Sequence, residues 1–205
     1  MDVEVRGLMK LRWLTILVLA CFGWGGCPCY SLHPLYTEQD SEAEPALEGT
    51  WMNTDTDHKD EVTFCKSKTG GYELSAFDPG TKIKQTFDAK LVRLAGKLFM
   101  DVQYQEETVN GVNVDSPVGV LPMHAIMKVE ISGDDLAIAD LEDDAIKKPH
   151  GSGRSKLKHE LMNPGLSQML LVTADTKDLR RYVAAHADDG FSDVGHLKRV
   201  VKTGD

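Results

Sequence analysis

Apolar and polar residues alternate along the middle of the chain, in segments that end at turn residues. Such alternation predicts β-strands with one buried face, because successive side chains of a strand point to opposite sides. Asp78-Pro79-Gly80 and Ala95-Gly96 are typical of the turns that join neighbouring strands. The predicted strands cover residues 61–65, 72–77, 82–94, 97–104, 124–131, 136–141, 169–173 and 197–201. Strands in this close succession favour an antiparallel meander that forms a barrel or a strongly curled sheet.

One segment near the C-terminal end has the period of a helix. Leu179, Tyr182 and Val183 stand at i, i+3 and i+4 and form one apolar face. Asp175 or Thr176 can cap the start of this helix by accepting hydrogen bonds from its first turn. The predicted fold class is therefore mainly β, with one C-terminal α-helix packed on the sheet, or α+β by element count.

The N-terminal residues have the order of a secretory signal peptide. Arg6, Lys10 and Arg12 form a basic region, residues 13–20 form an uncharged apolar core, and small residues follow. The apolar core is far shorter than the roughly 20 residues that a membrane-spanning helix needs. We therefore expect export and removal of this segment.

Three segments follow from this interpretation. We predict a signal peptide at 1–20, a tether at 21–45 and a single β-rich domain at 46–205. Removal of the signal leaves 205 − 20 = 185 residues, which suits one domain with a real core. Within the domain, proline, glycine and charge at 142–165 predict an irregular excursion, with one short helix near 155–161.

The residues around the first cysteine resemble a known processing site. Val18-Leu19-Ala20-Cys21 resembles the lipobox of bacterial lipoproteins. The resemblance implies cleavage before Cys21 and a diacylglycerol on its thiol, which would anchor the protein to a bacterial membrane facing the periplasm or the exterior. The alternative is a plain secreted protein that is cut after Ala20 or Gly26.

The remaining cysteines leave the disulfide pattern open. If Cys21 carries lipid, Cys65 can pair with Cys27 or with Cys29, and one thiol is left over. If it does not, four cysteines allow two bridges, whose connectivity the sequence does not give.

The net charge of the chain limits the classes of partner that it can bind. The formal net charge is −9, and loss of the signal peptide, which carries three basic and two acidic residues, makes it −10. Because phosphate binding needs basic patches, this charge argues against nucleic acid as a partner. It also argues against broad adhesion to anionic lipid.

Motifs for catalysis and for metal binding are weak or missing. The sequence has no Gly-x-Ser-x-Gly elbow, no His-Glu-x-x-His and no phosphate-cradling glycine loop. Asp55, Asp57 and His58 are weak metal candidates, because the two aspartates match the first oxygen positions of a calcium loop. Asp60 and Lys66 replace the glycine and glutamate that such a loop needs, so we expect a solvated acidic turn and no metal or cofactor.

One histidine is a further candidate for a site. His124 begins a predicted strand and could combine with Asp101 or Glu130 inside a barrel to line a site. We favour a half-exposed structural histidine over such a site, because a histidine at a strand edge is commonly only partly buried.

The start of the domain resembles a known fold family. Gly49-Thr50-Trp51 at the opening of a β meander resembles the Gly-x-Trp start of lipocalin-type (calycin) barrels. The resemblance implies that Trp51 closes one end of the barrel and that Arg199, near the last strand, packs across it. The whole layout, with Ser-Leu-His-Pro-Leu-Tyr at 31–36, is similar to small uncharacterised bacterial lipoproteins, which implies a cell-envelope location and no activity.

These observations favour a non-enzymatic envelope protein. We expect it to be anchored to the membrane at Cys21 and to bind a small apolar ligand or a protein partner, since barrel mouths are common ligand sites. The alternative is a structural or assembly lipoprotein with a filled barrel, and a weaker alternative is a hydrolase with an unrecognised site.

Overall fold

A computed structural model describes residues 29–40, 42–54, 60–68, 70–114, 122–147, 157–162 and 169–200. The strands in this part of the chain are β1 (Cys29–Ser31), β2 (Gly49–Asn53), β3 (Glu61–Lys66), β4 (Tyr72–Asp78), β5 (Ile83–Leu94), β6 (Lys97–Val109), β7 (Val112–Asn113), β8 (His124–Ser132), β9 (Asp135–Leu141), β10 (His159–Met162), β11 (Met169–Val172) and β12 (Phe191–Arg199). The helices are α1 (Asp143–Lys147) and α2 (Thr176–Ala185), with one 3-10 turn at Pro45–Leu47.

Eight of these strands close into an antiparallel barrel. The hydrogen-bonded order is β2-β3-β4-β5-β6-β8-β9-β12, and β12 pairs with β2 to complete the ring. Between β5 and β6 the register shifts by one residue at Thr86/Phe87, which makes a β-bulge on β6. The predicted fold class, mainly β with a meander forming a barrel, is confirmed.

A small sheet extends the barrel wall beside β8. β1 pairs antiparallel with β8 and parallel with β11, and β10 pairs with the other edge of β11. Residues 21–45 were predicted to form a tether, but the described part of that segment packs into the fold: Tyr30 and Leu35 are buried. The apolar positions of residues 30–36 explain this, because they fill the space beside β8.

The helix predicted near the C-terminal end is α2. The Asp175 side chain accepts a hydrogen bond from Asp178 N at 2.8 Å and caps the first turn. Leu179 and Val183 are buried on the outer face of the barrel. The short helix predicted near 155–161 is wrong in its described part, because residues from His159 onward form β10 and pair with β11.

The barrel wall separates two apolar cores. The inner core holds Trp51, Phe64, Phe87, Met100 and Met127 among its larger members. The outer core lies between the wall and α2 and includes Val92, Phe99, Ile126, Leu179 and Val183. Residues of both parities on β6 and β8 are therefore buried.

Candidate functional site

Trp51 and Arg199 meet where β12 pairs with β2 and completes the ring. Arg199 and Trp51 are partners in the β12–β2 register, and the guanidinium carbon lies 4.1 Å from the indole centroid. Trp51 is fully buried, and its Nε1 donates a hydrogen bond to Leu47 O at 2.9 Å. Arg199 also donates from Nη1 to Glu48 O at 2.7 Å. Stacking, burial and hydrogen bonding together stabilise the junction of β2 and β12.

Steric constraints explain why position 49 of the Gly-x-Trp motif is a glycine. Gly49 adopts φ +124°, a conformation that residues with a side chain rarely adopt. A Cβ at this position would lie 2.8 Å from Arg199 Nη1, which is too close for the guanidinium to remain in place. Gly49, Trp51 and Arg199 therefore form one structural unit.

Four of the predicted site residues lie outside the described residues. Cys21, the predicted lipidation site, is one, and the weak metal candidates Asp55, Asp57 and His58 are the others. Among the residues that the structure places, no three or more His, Cys, Asp or Glu side chains gather as a metal site would require. The helices of the same part of the chain are too short or too polar to cross a membrane.

Cys29 and Cys65 are free thiols in very different surroundings. Cys29 is buried in the outer core, whereas Cys65 is exposed on β3. The structure therefore excludes the Cys29–Cys65 bridge that the sequence allowed. Burial, with a smaller contribution from the nearby Asp143 carboxylate, raises the pKa of the Cys29 thiol far above its usual value.

His124 pairs with Asp101, but on the outer face of the barrel. His124 Nδ1 lies 2.6 Å from Asp101 Oδ1, and both residues are buried. Glu130, the other predicted partner, is exposed. The half-exposed position expected for His124 is wrong, and so is the alternative inside the barrel, because α2 and the N-terminal segment cover the outer wall and bury side chains there.

Residues 32–40, here called the strap, cover this pair. Asp101 Oδ2 accepts a hydrogen bond from Leu35 N at 2.6 Å. Arg180 on α2 donates to Leu35 O at 2.9 Å and to both carboxylate oxygens of Asp40, at 2.6 and 3.2 Å. The Tyr36 ring packs edge-on against His124, with 6.2 Å between centroids. Hydrogen bonds to Asp101 on β6 and to Arg180 on α2 therefore hold the strap in place.

Ser31, His124 and Asp101 contain the residue types of a catalytic triad. Ser31 lies opposite His124 in the β1–β8 register, and Asp101 holds the correct ring nitrogen for such a triad. However, Ser31 Oγ donates its hydrogen bond to His33 O at 2.7 Å, and the side chain is 1% exposed. The Ser31 hydroxyl is therefore closed to a substrate carbonyl in this conformation, and the three residues hold the strap.

A second buried polar pair lies on the inner side of the barrel. Gln85 on β5 donates from Nε2 to Glu107 Oε2 on β6, at 2.7 Å. Gln85 is 1% exposed and Glu107 is 5% exposed. Tyr104, beyond the bulge on the same strand, packs edge-on against Phe87 at 5.8 Å. A carboxyl group and an aromatic ring therefore lie close together at the rim of the inner core.

Sequence reasoning missed this pair because β6 was predicted to end at Tyr104. The bulge at residue 105 shifts the alternation by one, so Glu107 and Val109 take the inner parity. In the sequence, the dipeptide Asn110-Gly111 could have indicated that the strand continues to a hairpin turn. Both residues have positive φ, at 51° and 77°, which is typical of a two-residue hairpin turn that prolongs two strands.

No protein-family model, no curated protein and no solved structure matched this chain.

Proposed function

We propose that the protein is an exported, lipid-anchored envelope protein without enzymatic activity, which holds a protein partner on the outside of a filled barrel. Cys21 carries the acyl chains in this proposal, and the barrel serves as a rigid support. The arrangement of Gly49, Trp51 and Arg199 supports a lipocalin-like (calycin-type) relationship as part of the same proposal.

The packing of the barrel interior favours a filled barrel over a barrel that encloses an apolar ligand. Trp51, Val62, Ala89 and Met100 belong to the inner core and are fully buried. A ligand cavity of a few hundred cubic ångströms would leave such side chains partly accessible. Of the bulky apolar side chains along these strands, Phe64, Phe87, Met100 and Met127 lie in the inner core, whereas Phe99 lies in the outer core and Phe77 is half-buried.

The anchor is tested by the intact mass of the protein from its native host, compared with a Cys21→Ser variant. We expect the mass of the wild type to include acyl chains that radioactive fatty acid also labels, and we expect both signals to be lost in the variant. Two or more chains make membrane binding durable, at roughly 0.8 kcal/mol for each buried CH2. Wild-type protein without acyl mass would overturn the anchor and favour the secreted alternative.

The support role is tested separately, by native mass spectrometry and by cross-linking in intact cells. We expect native mass spectra without a fatty acid or neutral lipid bound in the interior. We expect a discrete cross-linked species with one envelope protein, which is lost in the Cys21→Ser variant. An equimolar apolar lipid bound to the wild type would overturn the filled-barrel proposal and favour a barrel that binds an apolar ligand in its interior.

A further inference from the structure

The hairpin of β6 and β7 carries an exposed apolar surface. Val112 is 68% exposed and Val114 is 41% exposed. They are two of the three large hydrophobic residues that the described part of the chain exposes to this degree, the third being Leu161. We call residues 104–114 the lip.

The register places these valines on the inner side of the sheet. Val112 lies opposite Val109, and the hydrogen bond from Val114 N to Glu107 O at 2.9 Å places Val114 opposite Glu107. Val109 in turn lies opposite Ile83, which is buried on the inner parity of β5. Directly opposed residues of antiparallel strands share one face. The valines therefore continue the inner surface of the barrel beyond its filled core.

A buried carboxyl group lies at the base of this surface. Glu107 is 5% exposed, and its described side-chain hydrogen bond comes from the neutral amide of Gln85. No lysine, arginine or histidine among the residues that the structure places forms an ion pair with it. A carboxylate removed from water with only neutral partners is unfavourable, and a cation beside it would relieve that cost.

An aromatic ring stands next to this carboxyl group. Tyr104 is partly buried against the inner core and precedes Glu107 on the inner face of β6, with the bulged residue between them. Burial first, and then the charges of Glu107 and Glu106, raise the pKa of Tyr104 above its usual value. An aromatic face beside a carboxylate is a favourable setting for an ammonium group, because both attract positive charge.

We propose that the lip binds a small molecule that joins an alkyl or aryl group to a protonated amine. The ammonium group contacts the Glu107 carboxylate and the Tyr104 ring, and the apolar part covers Val112 and Val114. This site lies outside the filled interior, and it does not depend on lipidation of Cys21 or on a protein partner.

The test is calorimetric titration of the full chain with three probes of equal length: hexylamine, n-hexanol and hexanoate. We expect saturable 1:1 binding of hexylamine that is about tenfold tighter than that of n-hexanol, in line with a charge-assisted contact supported by an aromatic ring. Hexanoate should bind weakest, because its charge repels Glu107. Equal binding of hexylamine and n-hexanol, or no saturable binding of hexylamine, would overturn the proposal without any variant.

Variants then locate the site. Glu107→Gln should reduce the preference for hexylamine over n-hexanol to about one, because it removes the carboxylate and keeps the size of the side chain. Glu106→Gln is the matched control, since Glu106 is exposed on the opposite face and the change in net charge is the same. Its preference should stay within about twofold of wild type.

A last variant separates the apolar contact from the charge contact. Val114→Ser should weaken hexylamine and n-hexanol by a similar factor, since both lose the same apolar area. Loss of the amine preference in Glu106→Gln, or its retention in a folded Glu107→Gln, would show that Glu107 is not the recognition group and would overturn the proposal.

Discussion

Trp51 offers the sharpest test of how the barrel is held together. Its side chain is fully buried, and an aromatic of this size removes roughly 200 Å2 from water. At roughly 25 cal/mol per Å2 this burial contributes about 5 kcal/mol, as an upper bound. Large-to-small replacements of buried aromatic residues cost about 3–5 kcal/mol. We therefore expect Trp51→Ala to lower the free energy of unfolding by about 4 kcal/mol.

A second replacement separates packing from hydrogen bonding. Trp51→Phe keeps an aromatic ring beneath Arg199 but removes the donor to Leu47 O. We expect a loss of about 1–2 kcal/mol, typical of a buried acceptor left without its partner. Urea unfolding followed by far-ultraviolet circular dichroism measures both variants without relying on the fluorescence of the deleted indole.

Phe77→Ala is the matched control for loss of an aromatic side chain. Phe77 is only half-buried on β4, so its deletion should cost less than half as much as that of Trp51. A loss below about 1 kcal/mol for Trp51→Ala, or equal losses for the two alanine variants, would refute the role of Trp51 in closing the barrel.

Three further predictions concern the strap and the thiols. Asp101→Asn should cost about 3 kcal/mol in urea unfolding, because it breaks a buried pair with His124, and a loss below about 0.5 kcal/mol would contradict this role. Iodoacetamide should modify Cys65 and leave Cys29 intact in the native protein, as peptide masses can show; rapid native labelling of Cys29 would disprove its burial. Burial raises the pKa of Asp40, but hydrogen bonds from the Thr37 backbone and hydroxyl and from Arg180, with the Arg180 charge, outweigh it and lower that pKa below its usual 3.8. The strap is therefore stabilised above this pH and loses that contribution as the pH falls through the lowered pKa. The protection factors of the amides in residues 32–40, each taken against the intrinsic exchange rate at the same pH, should therefore fall in acid for wild type but not for Asp40→Asn.

The barrel strands were predictable because each one carries its own signal. Alternation along 82–94 and the turn at Ala95-Gly96 are local, and β5 and β6 follow them closely. Asp175 and the apolar face of α2 are local in the same way. Trp51 and Arg199 were paired through a resemblance rather than through spacing, because the residues between them give no measure of their distance in space.

The remaining features depend on contacts between distant parts of the chain. β1 is three residues long and is held by β8 and β11, so nothing near it in sequence marks it as a strand. His124 was expected to be half-exposed because alternation places it on the polar face of its strand, whereas the start of β8 is covered on both faces. Glu107 was missed because a single bulged residue reversed the parity that the pattern relied on.

The position of β12 in the ring has a consequence for how the chain acquires its structure. β12 is the last described strand in the sequence, yet it joins β9 to β2, which is the first strand of the barrel. The same holds for β1, whose two neighbours come much later in the chain. Closure of long loops slows folding, so a chain made from its N-terminal end cannot complete this barrel until its final segment is available.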